Sequence, residues 1–454
     1  MTVAARKKLV ILGGGESGTG AALLGKAKGF DVFLSDQSQL QPQYREILVK
    51  ENIPFEEGKH TEETILSADE VVKSPGIPDK APLVKELYKS GIPVISEIEL
   101  AARYTSAKLI GITGSNGKTT TTLLTYHLLR EAGLSVGLAG NIGESFAKQV
   151  IDDPKDIYVL EISSFQLDNM FDFRANVAVL LNITPDHLDR YDYDFQKYVN
   201  SKFRIAQNQT EEDDFIYFAE SEALVTELGK RTLPASKKPI SLQSPLKVGG
   251  YWDNGTLRVS SHGSEFTIPM SELPIQGPHN AINAMAAVLV AQAVGLTPQQ
   301  IRSGLLSFVN APHRLELVAS INGVKYVNDS KATNVDSVYY ALGSFASPVI
   351  LIAGGVDKGN DYSQIESLVR EKVKGLIALG TDTAKLTDYF GGIVPMVYAT
   401  DSLTDALAKA QSWADPEDVV LLSPACASFD LFKNYMDRGD QFRKEVLNLV
   451  NNEL

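Results

Sequence analysis

The sequence predicts an α/β protein of three consecutive domains, each built on a mostly parallel β-sheet. The chain has 454 residues, whereas single hydrophobic cores stop growing near roughly 250–300 residues. Short β-branched runs alternate along it with helix-compatible segments. Two glycine-rich loops, around Gly13 and Gly114, each follow such a run. We place the domains at residues 1–106, 107–310 and 311–454.

The bulk composition excludes several classes of protein. With 44% hydrophobic and 22% charged residues, the chain is typical of a globular protein with substantial cores. Its formal net charge of −13 opposes broad contact with a polyanion, so we expect no nucleic-acid partner. Small phosphorylated ligands remain compatible, because a loop of backbone N–H groups can hold them at any net charge.

Targeting signals are lacking in the sequence. The start, MTVAARKKLVILGGGESG, reaches a glycine loop after four apolar residues and has no apolar core of a secretory signal. No apolar run approaches the roughly 20 residues that span a bilayer. The single cysteine, Cys426, cannot form an internal disulfide. We therefore expect a cytoplasmic protein without a membrane span, and a monomer.

The first domain is predicted to be Rossmann-like. The runs LVILG, DVFLSD, EVVKSPGIP and PVISEIEL predict strands between helices and turns. The first run leads into GGGESG, residues 13–18, which fits G-x-G-x-x-G, and Asp36 ends the second run where a ribose-binding acid belongs. Alone, this pattern favours NAD, but a single fingerprint is a weak signal.

The second domain begins with a predicted phosphate loop (P-loop). Residues 108–112 (KLIGI) predict a buried strand, and TTTTLLTYHLLREAG predicts a helix that ends at Gly133. In the intervening loop, Lys118 supplies a point charge and the Thr119 hydroxyl suits Mg²⁺. The alternative without function is a glycine-rich turn that a Lys-Thr pair follows by chance. The predicted ATP-binding loop residues are Gly114, Ser115, Asn116, Gly117, Lys118, Thr119 and Thr120.

Two predicted strand ends deliver metal-binding groups near this loop. The runs IYVLEIS and ANVAVLLNIT continue a parallel sheet; Glu161 ends the first, and Asp186 and His187 follow the second. A Mg²⁺ site needs little more than one or two carboxylates, water and phosphate oxygens. Considered alone, Glu161 is equally compatible with a position next to a helix N-cap, and His187 is equally compatible with a solvated loop.

The remaining runs complete the second domain and form the third. FIYFAE, LKVGGYW and TLRVSS, within residues 211–275, predict an accessory sheet, and GPHNAINAMAAVLVAQAVG predicts a buried helix. In that helix Asn280 and Asn283 lie one turn apart and suit an adenine edge, although Asn280 also reads as a helix cap. After APHRLE, the runs KYVNDS, PVILIAGG, GLIALG, MVYAT and VVLLSP predict the third α/β domain.

The spacing of the phosphate loop carries a family resemblance. The usual motif has its first glycine where this chain has Ile112; here the glycine is Gly114. The form TGSNGKTT resembles the loop of Mur ligases and folylpolyglutamate synthases. Resemblance to the Mur ligase family continues in order through nearly the whole chain, which implies a central P-loop ATPase domain between two Rossmann-like domains.

The resemblance implies ATP and two Mg²⁺ ions as cofactors. It places at Lys202 a lysine carbamylated by CO₂, which would hold a second Mg²⁺ beside His187. From the residues alone, Lys202 in FQKYVNSKFRIAQN is predicted to be an exposed helix lysine. The implied catalytic residues are Lys118, Glu161, His187 and Lys202, and the implied metal ligands are Thr119, Glu161, His187 and Lys202.

The resemblance also implies the remaining ligand contacts. Arg314 and Lys331 would contact phosphate and Asp329 the ribose, with ATP between the second and third domains, where closure of the third would complete the site. The first domain would hold UDP rather than NAD. The implied UDP-substrate residues are Ser17, Gly18, Asp36, Ser74, Gly76, Asn141, Ser163 and Gln166, and after Asp36 the chain has Gln37 and Ser38 where a basic residue is common.

The third domain carries the signal for the amino-acid substrate. The segments NDSKATN, GGVDKG and SPACASFDLFKNY resemble those of the D-glutamate-adding members, and the DNPR-type motif of the diaminopimelate- or lysine-adding members is absent from the sequence. The resemblance implies addition of D-glutamate to UDP-N-acetylmuramoyl-L-alanine through an acyl phosphate, in peptidoglycan precursor synthesis. Tyr435 stands where the family typically has Phe. The implied D-glutamate residues are Thr333, Lys358, Ser428 and Phe429.

Three rival functions are compatible with parts of the sequence. A folylpolyglutamate synthase shares the phosphate loop but lacks an N-terminal UDP-binding domain. An NAD-dependent oxidoreductase would explain only the first glycine loop and would show a nicotinamide absorbance change. A nucleotide-sensing protein would bind ATP without releasing phosphate. The last two leave Glu161, His187 and the third-domain motifs unexplained.

Overall fold

The computed structural model of the chain describes residues 6–357 and 359–452. Three separate sheets, of five, nine and six strands, organise this part of the chain. Helices connect the successive parallel strands in each sheet, except where a loop joins two parallel strands between residues 241 and 249. The predicted three-domain α/β class is therefore confirmed.

The first sheet is entirely parallel. Its strands are β1 (Lys8–Leu12), β2 (Asp31–Asp36), β3 (Phe55–Glu57), β4 (Glu70–Lys73) and β5 (Val94–Ile95), and its helices are α1 (Glu16–Ala27), α2 (Pro42–Lys50), α3 (Glu62–Leu66), α4 (Pro82–Lys89) and α5 (Glu97–Ala102). Their order is β3-β2-β1-β4-β5. The apolar run Leu9–Leu12 is buried because β1 is central and covered on both faces. The predicted strand in PVISEIEL is only partly right, since EIEL begins α5.

The second sheet has nine strands. They are β6 (Lys108–Thr113), β7 (Val136–Gly140), β8 (Ile157–Glu161), β9 (Val177–Leu180), β10 (Asp214–Phe218), β11 (Ser236–Ser241), β12 (Gly249–Asp253), β13 (Thr256–Ser261) and β14 (Ser264–Pro269). The order is β14-β13-β12-β11-β10-β9-β6-β8-β7, parallel except for the pairs β12–β13 and β13–β14. The prediction of an accessory sheet over 211–275 is wrong. Strand β10 pairs with β9, and β11 to β14 follow it in turn, so these strands extend the central sheet.

Helices flank the second sheet. They are α6 (Lys118–Glu131), α7 (Phe146–Asp152), α8 (Ser164–Leu167), α9 (Phe195–Phe203), α10 (Glu222–Leu228), α11 (Pro278–Ala293) and α12 (Pro298–Ser307). The predicted helices after the phosphate loop and at GPHNAINAMAA are confirmed as α6 and α11. Alanine and other small residues let α11 bury almost its whole length, as with Ala284–Ala287.

The third sheet is parallel apart from one edge strand. Its strands are β15 (Glu316–Ile321), β16 (Val324–Asn328), β17 (Val349–Gly354), β18 (Val373–Leu379), β19 (Met396–Thr400) and β20 (Val419–Ala425), and its helices are α13 (Val335–Gly343), α14 (Glu366–Lys372), α15 (Ala384–Phe390), α16 (Leu403–Trp413) and α17 (Tyr435–Asn452). The order is β15-β16-β20-β17-β18-β19, with β15 antiparallel to β16. Apolar clusters pack on both faces of this sheet.

The chain divides into two compact units that are discontinuous in sequence. The first contains residues up to Pro269 together with Ile282–Ser307, and the second contains Met270–Ala281 together with residues from Phe308 onward. Helix α11 thus begins in one unit and ends in the other. The predicted boundaries at 106 and 310 stay predictions. Among the described residues, no helix combines the length and the apolar composition needed to cross a membrane.

Candidate functional site

The phosphate loop lies between β6 and α6, as predicted. Gly114 has φ of 154° and Gly117, the residue before the first helical residue, has φ of 85°. A Cβ at Gly117 would lie 2.5 Å from Asn283 Oδ1. Both conformation and space therefore require glycine at this point. The first turn of α6 directly follows this loop, and a helix N-terminus behind a glycine loop is the geometry that binds phosphate.

Lys118 lies over its own loop. Its Nζ donates to the Gly114 carbonyl at 2.7 Å and to the Ser115 carbonyl at 2.8 Å. Two carbonyls hold the ammonium beside the N-terminus of α6, so positive charge and helix dipole act in the same place. This is the arrangement that stabilises a polyphosphate.

Two asparagines support the loop. Asn182 Oδ1 accepts from Asn116 N at 2.8 Å, and Asn182 Nδ2 donates to the Asn116 carbonyl at 3.1 Å. Asn283 Oδ1 accepts from Thr121 Oγ1 at 3.1 Å, which places this predicted adenine contact beside the loop. Asn280 lies in the first turn of α11 and donates to the Gln276 carbonyl at 2.9 Å. Asn182 was not predicted from the sequence, although it directly follows the strand run ANVAVLL, and ligand-binding residues commonly follow such strands.

Glu161 is the last residue of β8 and is 1% exposed. Its Oε1 accepts from Asn141 Nδ2 at 2.8 Å, whereas Oε2 is buried and has no hydrogen bond. A buried carboxylate oxygen without a donor is costly and indicates a ligand position. The donor chemistry fits Mg²⁺, which prefers carboxylate oxygen.

His187 lies on a loop after β9, with a left-handed φ of 52°. Its ring is half-exposed, packs edge-on to Phe165 at 5.2 Å between centroids, and has Nε2 3.5 Å from Asp186 Oδ2. Within residues 6–357 and 359–452 no group of three His, Cys, Asp or Glu side chains could hold a metal. A Mg²⁺ here would therefore take other ligands from phosphate and water.

The expectation from the residues alone that Lys202 is exposed is wrong. The side chain is 1% exposed on α9, and Nζ donates to Thr113 Oγ1 at 3.2 Å and to the Gly114 carbonyl at 2.9 Å. Burial, with Lys118 nearby, holds the pKa of Lys202 well below its usual value of 10.5. A lowered pKa favours the neutral amine, which is the nucleophilic form that reacts with CO₂.

The predicted nucleotide-binding loop of the first domain follows β1. Asp36 Oδ2 accepts from Gly14 N at 2.6 Å and Oδ1 accepts from Ser38 N at 2.7 Å, so this carboxylate shapes the loop through backbone donors. Gly18 is buried, and a Cβ there would lie 1.8 Å from the Gly13 carbonyl oxygen. Ser17 lies in the same first turn of α1 and is partly exposed.

The other predicted UDP-substrate residues lie at several strand ends. Ser163 and Gln166 form a capping box at the start of α8, two residues after Glu161. Ser74 follows β4 and is half-buried, and Gly76 is exposed. Arg190, three residues after His187, donates to the Pro75 carbonyl at 3.2 Å. The loop after β4 is thereby brought beside the loop that carries His187.

In the third sheet, Asp329 directly follows β16 and is buried. Its Oδ2 accepts from Ser423 Oγ at 2.9 Å and its Oδ1 from Leu315 N at 3.2 Å. Burial raises the pKa of Asp329 to about 7. Lys331 Nζ lies 3.8 Å from the ring centroid of Tyr435, so the unusual tyrosine forms a cation–π contact with a predicted phosphate ligand. Arg314 is half-buried one residue before Leu315.

The predicted D-glutamate residues are only partly described. Lys358 lies outside the described residues. Thr333 is half-buried, Ser428 is 2% exposed and Phe429 is 68% exposed. The backbones of Val356 and Ala427 pair through N–H···O bonds of 2.8 and 3.2 Å. This bridge brings the GGVD and SPACAS segments together.

Arg438 is a residue that sequence analysis missed. It is 1% exposed on α17, and its guanidinium donates to Ser330 Oγ at 3.0 Å, to the Ser330 carbonyl at 2.9 Å and to the Cys426 carbonyl at 3.3 Å. Burial lowers its pKa to about 10. Arg438 thus ties the Asp329–Lys331 segment to the end of β20.

Fold and site define a phosphate-loop protein in which a buried carboxylate and a buried lysine flank the loop. Comparison with known proteins narrows this class. Residues 7–96 match the Mur ligase MurD-like N-terminal domain, 112–291 the Mur ligase middle domain, and 313–426 the Mur ligase glutamate ligase domain. The chain belongs to the Mur ligase family.

Relatives agree with this assignment, and solved structures share the fold. The chain is 54% identical over 447 residues (98% of this chain, 99% of the relative) to a UDP-N-acetylmuramoylalanine--D-glutamate ligase of Cytophaga hutchinsonii. One of the same name from Porphyromonas gingivalis is 53% identical, covering 97% and 98%. In fold, the chain resembles a pseudomurein peptide ligase of Methanothermus fervidus (TM-score 0.62, 20% identity) and the UDP-N-acetylmuramate-alanine ligase of Thermotoga maritima (0.58, 18%); both cover 98% of this chain and 100% of theirs.

Proposed function

We propose that the chain catalyses the ATP-dependent addition of D-glutamate to UDP-N-acetylmuramoyl-L-alanine, a cytoplasmic step of peptidoglycan precursor synthesis. The observation that carries the choice of substrates is the full-length match at 54% identity to a ligase of that name. The loop geometry supports the reaction class, since it places a lysine and the N-terminus of α6 where a polyphosphate binds.

The proposed reaction has two steps. A carboxylate oxygen of L-alanine attacks the γ-phosphorus of ATP, forming the O–P bond of an acyl phosphate while ADP leaves. The amine of D-glutamate then attacks the acyl carbon, and the tetrahedral intermediate loses phosphate and a proton to give the amide. Lys118 neutralises charge on the transferred group, and catalysis is mainly positioning.

Mg²⁺ would neutralise the phosphate oxygens when bound. The residues proposed to hold it are Thr119, Glu161, His187 and Lys202; the unpartnered Oε2 of Glu161 supports this choice most directly. The ATP contacts of Asn280, Asn283, Arg314, Asp329 and Lys331 remain part of the same proposal.

We propose that Lys202 carries the carbamate. Its neutral amine would attack CO₂, forming an N–C bond and releasing a proton, and the product would be an anionic oxygen donor. The support is its burial beside the loop and its lowered pKa. Carbamylation would replace an amine by an anionic oxygen ligand that can bind a metal ion.

The proposed substrate contacts follow the domains. The first glycine loop, with Ser17, Gly18 and Asp36, would hold UDP, and Ser74, Gly76, Asn141, Ser163 and Gln166 would contact the diphosphate and sugar. D-glutamate would contact Thr333, Lys358, Ser428 and Phe429. The MurD-like match over residues 7–96 favours UDP over NAD at the first loop.

A folylpolyglutamate synthase is the nearest rival. The chain resembles that of Mycobacterium tuberculosis in fold, with a TM-score of 0.57 and 18% identity, over 76% of this chain and 92% of that one. The additional five-stranded sheet formed by Lys8–Ile95 supports the UDP-substrate reading over folate.

The test is phosphate release from ATP with Mg²⁺, bicarbonate and UDP-N-acetylmuramoyl-L-alanine, with D-glutamate and L-glutamate compared. We expect release that requires the UDP-sugar and the D-isomer, and a fall of about 10²–10³-fold in Lys118→Ala because a charge on the transferred phosphate is lost. Equal release with both isomers, or none with either, would refute the assigned substrates; folate acceptors would then be tried.

A further inference from the structure

Helix α5 carries two buried carboxylates that sequence analysis did not single out. Glu97 is 5% exposed and Glu99 is 0% exposed, within the short run SEIEL. A buried carboxylate persists only where donors satisfy it. Glu97 finds its donors in a loop of the second sheet, and Glu99 accepts from three backbone N–H groups of another such loop and from Arg103 of its own domain at 3.4 Å.

Glu97 holds the N-terminus of α7. Its Oε1 accepts from Ser145 Oγ at 2.6 Å and from Ala147 N at 2.7 Å. Ser145 is the N-cap of α7 and itself accepts from Lys148 N. Glu16 Oε1 accepts from Ser145 N at 3.1 Å. Two carboxylates of the first domain therefore take up three donors at the start of one helix, where negative charge is favourable.

The approach of α1 to this point leaves no free space. A Cβ at Gly20, on α1, would lie 1.9 Å from Ser145 Oγ and 2.7 Å from Ser145 Cβ. Only glycine permits the observed contact, because real Cβ contacts do not fall below 3.0 Å. The distance between α1 and the start of α7 is therefore closely fixed.

Each end of this contact leads directly to a proposed substrate loop. Glu16 is the residue after the Gly13–Gly15 loop, and residues 141–144 immediately precede Ser145. Asn141 is held at the other end of that loop, since its N donates to the Glu161 carbonyl and its Nδ2 to Glu161 Oε1, both at 2.8 Å.

We infer that Glu97 and Glu16 are positioning residues for the UDP-sugar: through Ser145 they fix the spacing between the first glycine loop and the Asn141 loop. The UDP of the substrate would bind at the first glycine loop. The distance between the two loops would then determine whether the sugar and the carboxyl end of the substrate reach Asn141 and Glu161. The inference rests on the proposed function, because it assumes a UDP-sugar at the first loop.

Glu99 supplies a matched control on the same helix. It is as buried as Glu97 and accepts from Phe171 N, Asp172 N and Phe173 N at 3.0–3.1 Å. Residues 171–173 lead to the start of β9, at the end of the sheet opposite the phosphate loop. Truncating Glu99 removes a comparable buried acceptor without touching a substrate loop.

The experiment measures KM for UDP-N-acetylmuramoyl-L-alanine and for ATP in Glu97→Ala, Glu99→Ala and Glu97→Gln. We expect Glu97→Ala to raise KM for the UDP-sugar about tenfold, the effect of one displaced hydrogen bond, with KM for ATP within about twofold. Glu99→Ala should leave both KM values within about twofold, and Glu97→Gln, which keeps Oε1 as an acceptor, should restore the wild-type value.

Equal KM changes in the two alanine variants, or none in Glu97→Ala, would show that Glu97 is merely structural and overturn the inference. If Glu97→Ala does not fold, Gly20→Ala tests the same spacing without removing a buried charge, and an unchanged KM for the UDP-sugar there also overturns it. Failure of the wild-type enzyme to turn over the UDP-sugar would instead refute the proposed function.

Discussion

Replacing Gly18 by alanine should disrupt the first domain selectively. The added Cβ would lie 1.8 Å from the Gly13 carbonyl oxygen and 3.0 Å from its carbon. Because both are backbone atoms, no side-chain rotation relieves the clash, and α1 must move away from the loop by about 1.2 Å to reach the 3.0 Å limit of real Cβ contacts. Overpacking of this kind costs about 3 kcal/mol.

Gly15 offers the matched control for this prediction. It precedes α1 with φ of −76°, and a Cβ there meets nothing within 4 Å. In urea unfolding, Gly18→Ala should lower the free energy of unfolding by about 3 kcal/mol, and Gly15→Ala should change it by no more than about 0.5 kcal/mol. Calorimetry should show weaker binding of the UDP-sugar to Gly18→Ala with ATP binding unchanged. Equal stability of the two variants would refute the steric reasoning.

Three further outcomes are expected. Glu161→Gln should raise the Mg²⁺ concentration needed for half-maximal ATP binding about tenfold, because a metal ligand loses its charge; an unchanged Mg²⁺ titration would exclude Glu161 as a ligand. Lys202→Ala should abolish the bicarbonate dependence of phosphate release along with most of the activity, and a variant still activated by bicarbonate would contradict the carbamate. Burial raises the pKa of Asp329 from 3.8 to about 7. The contribution of this group to the free energy of unfolding is therefore complete below pH about 4 and is lost as pH rises through about 7. The stability of the wild type relative to Asp329→Asn should therefore fall by roughly 4 kcal/mol over that range, and a pH-independent difference in urea unfolding would refute it.

The elements with strong local signals were predictable from the sequence. The phosphate loop, α6 and the strands that end at Glu161 and before Asp186 are specified by glycines and by buried apolar runs. The prediction of a separate accessory sheet was wrong because tertiary contacts decide which strands pair. Strand β10 pairs with β9, and β11 with β10, between residues far apart in sequence.

The burial of charged residues was the feature least predictable from the sequence. Lys202 was expected in solvent, although Tyr198, Val199 and Phe203 share its helical face and are buried; that periodicity could have placed it inside. Glu97, Glu99 and Arg438 gave no comparable signal, because most of their hydrogen-bond partners belong to loops distant in sequence. The ligand roles of the site residues remain predictions.

Each compact unit is discontinuous in sequence, which restricts where the chain can be divided into fragments and the order in which it can fold during synthesis. Helix α12, in residues 282–307, packs on α6, where Gly304 lies so close to Leu128 that a Cβ would meet its side chain at 2.7 Å, and His127 shares a hydrogen bond with Ser307. A fragment that stops at Pro269 would leave this face of the phosphate-loop helix bare. During synthesis, likewise, the first compact unit cannot complete its core until residue 307 has left the ribosome. A division of the chain that keeps this unit whole therefore falls after α12.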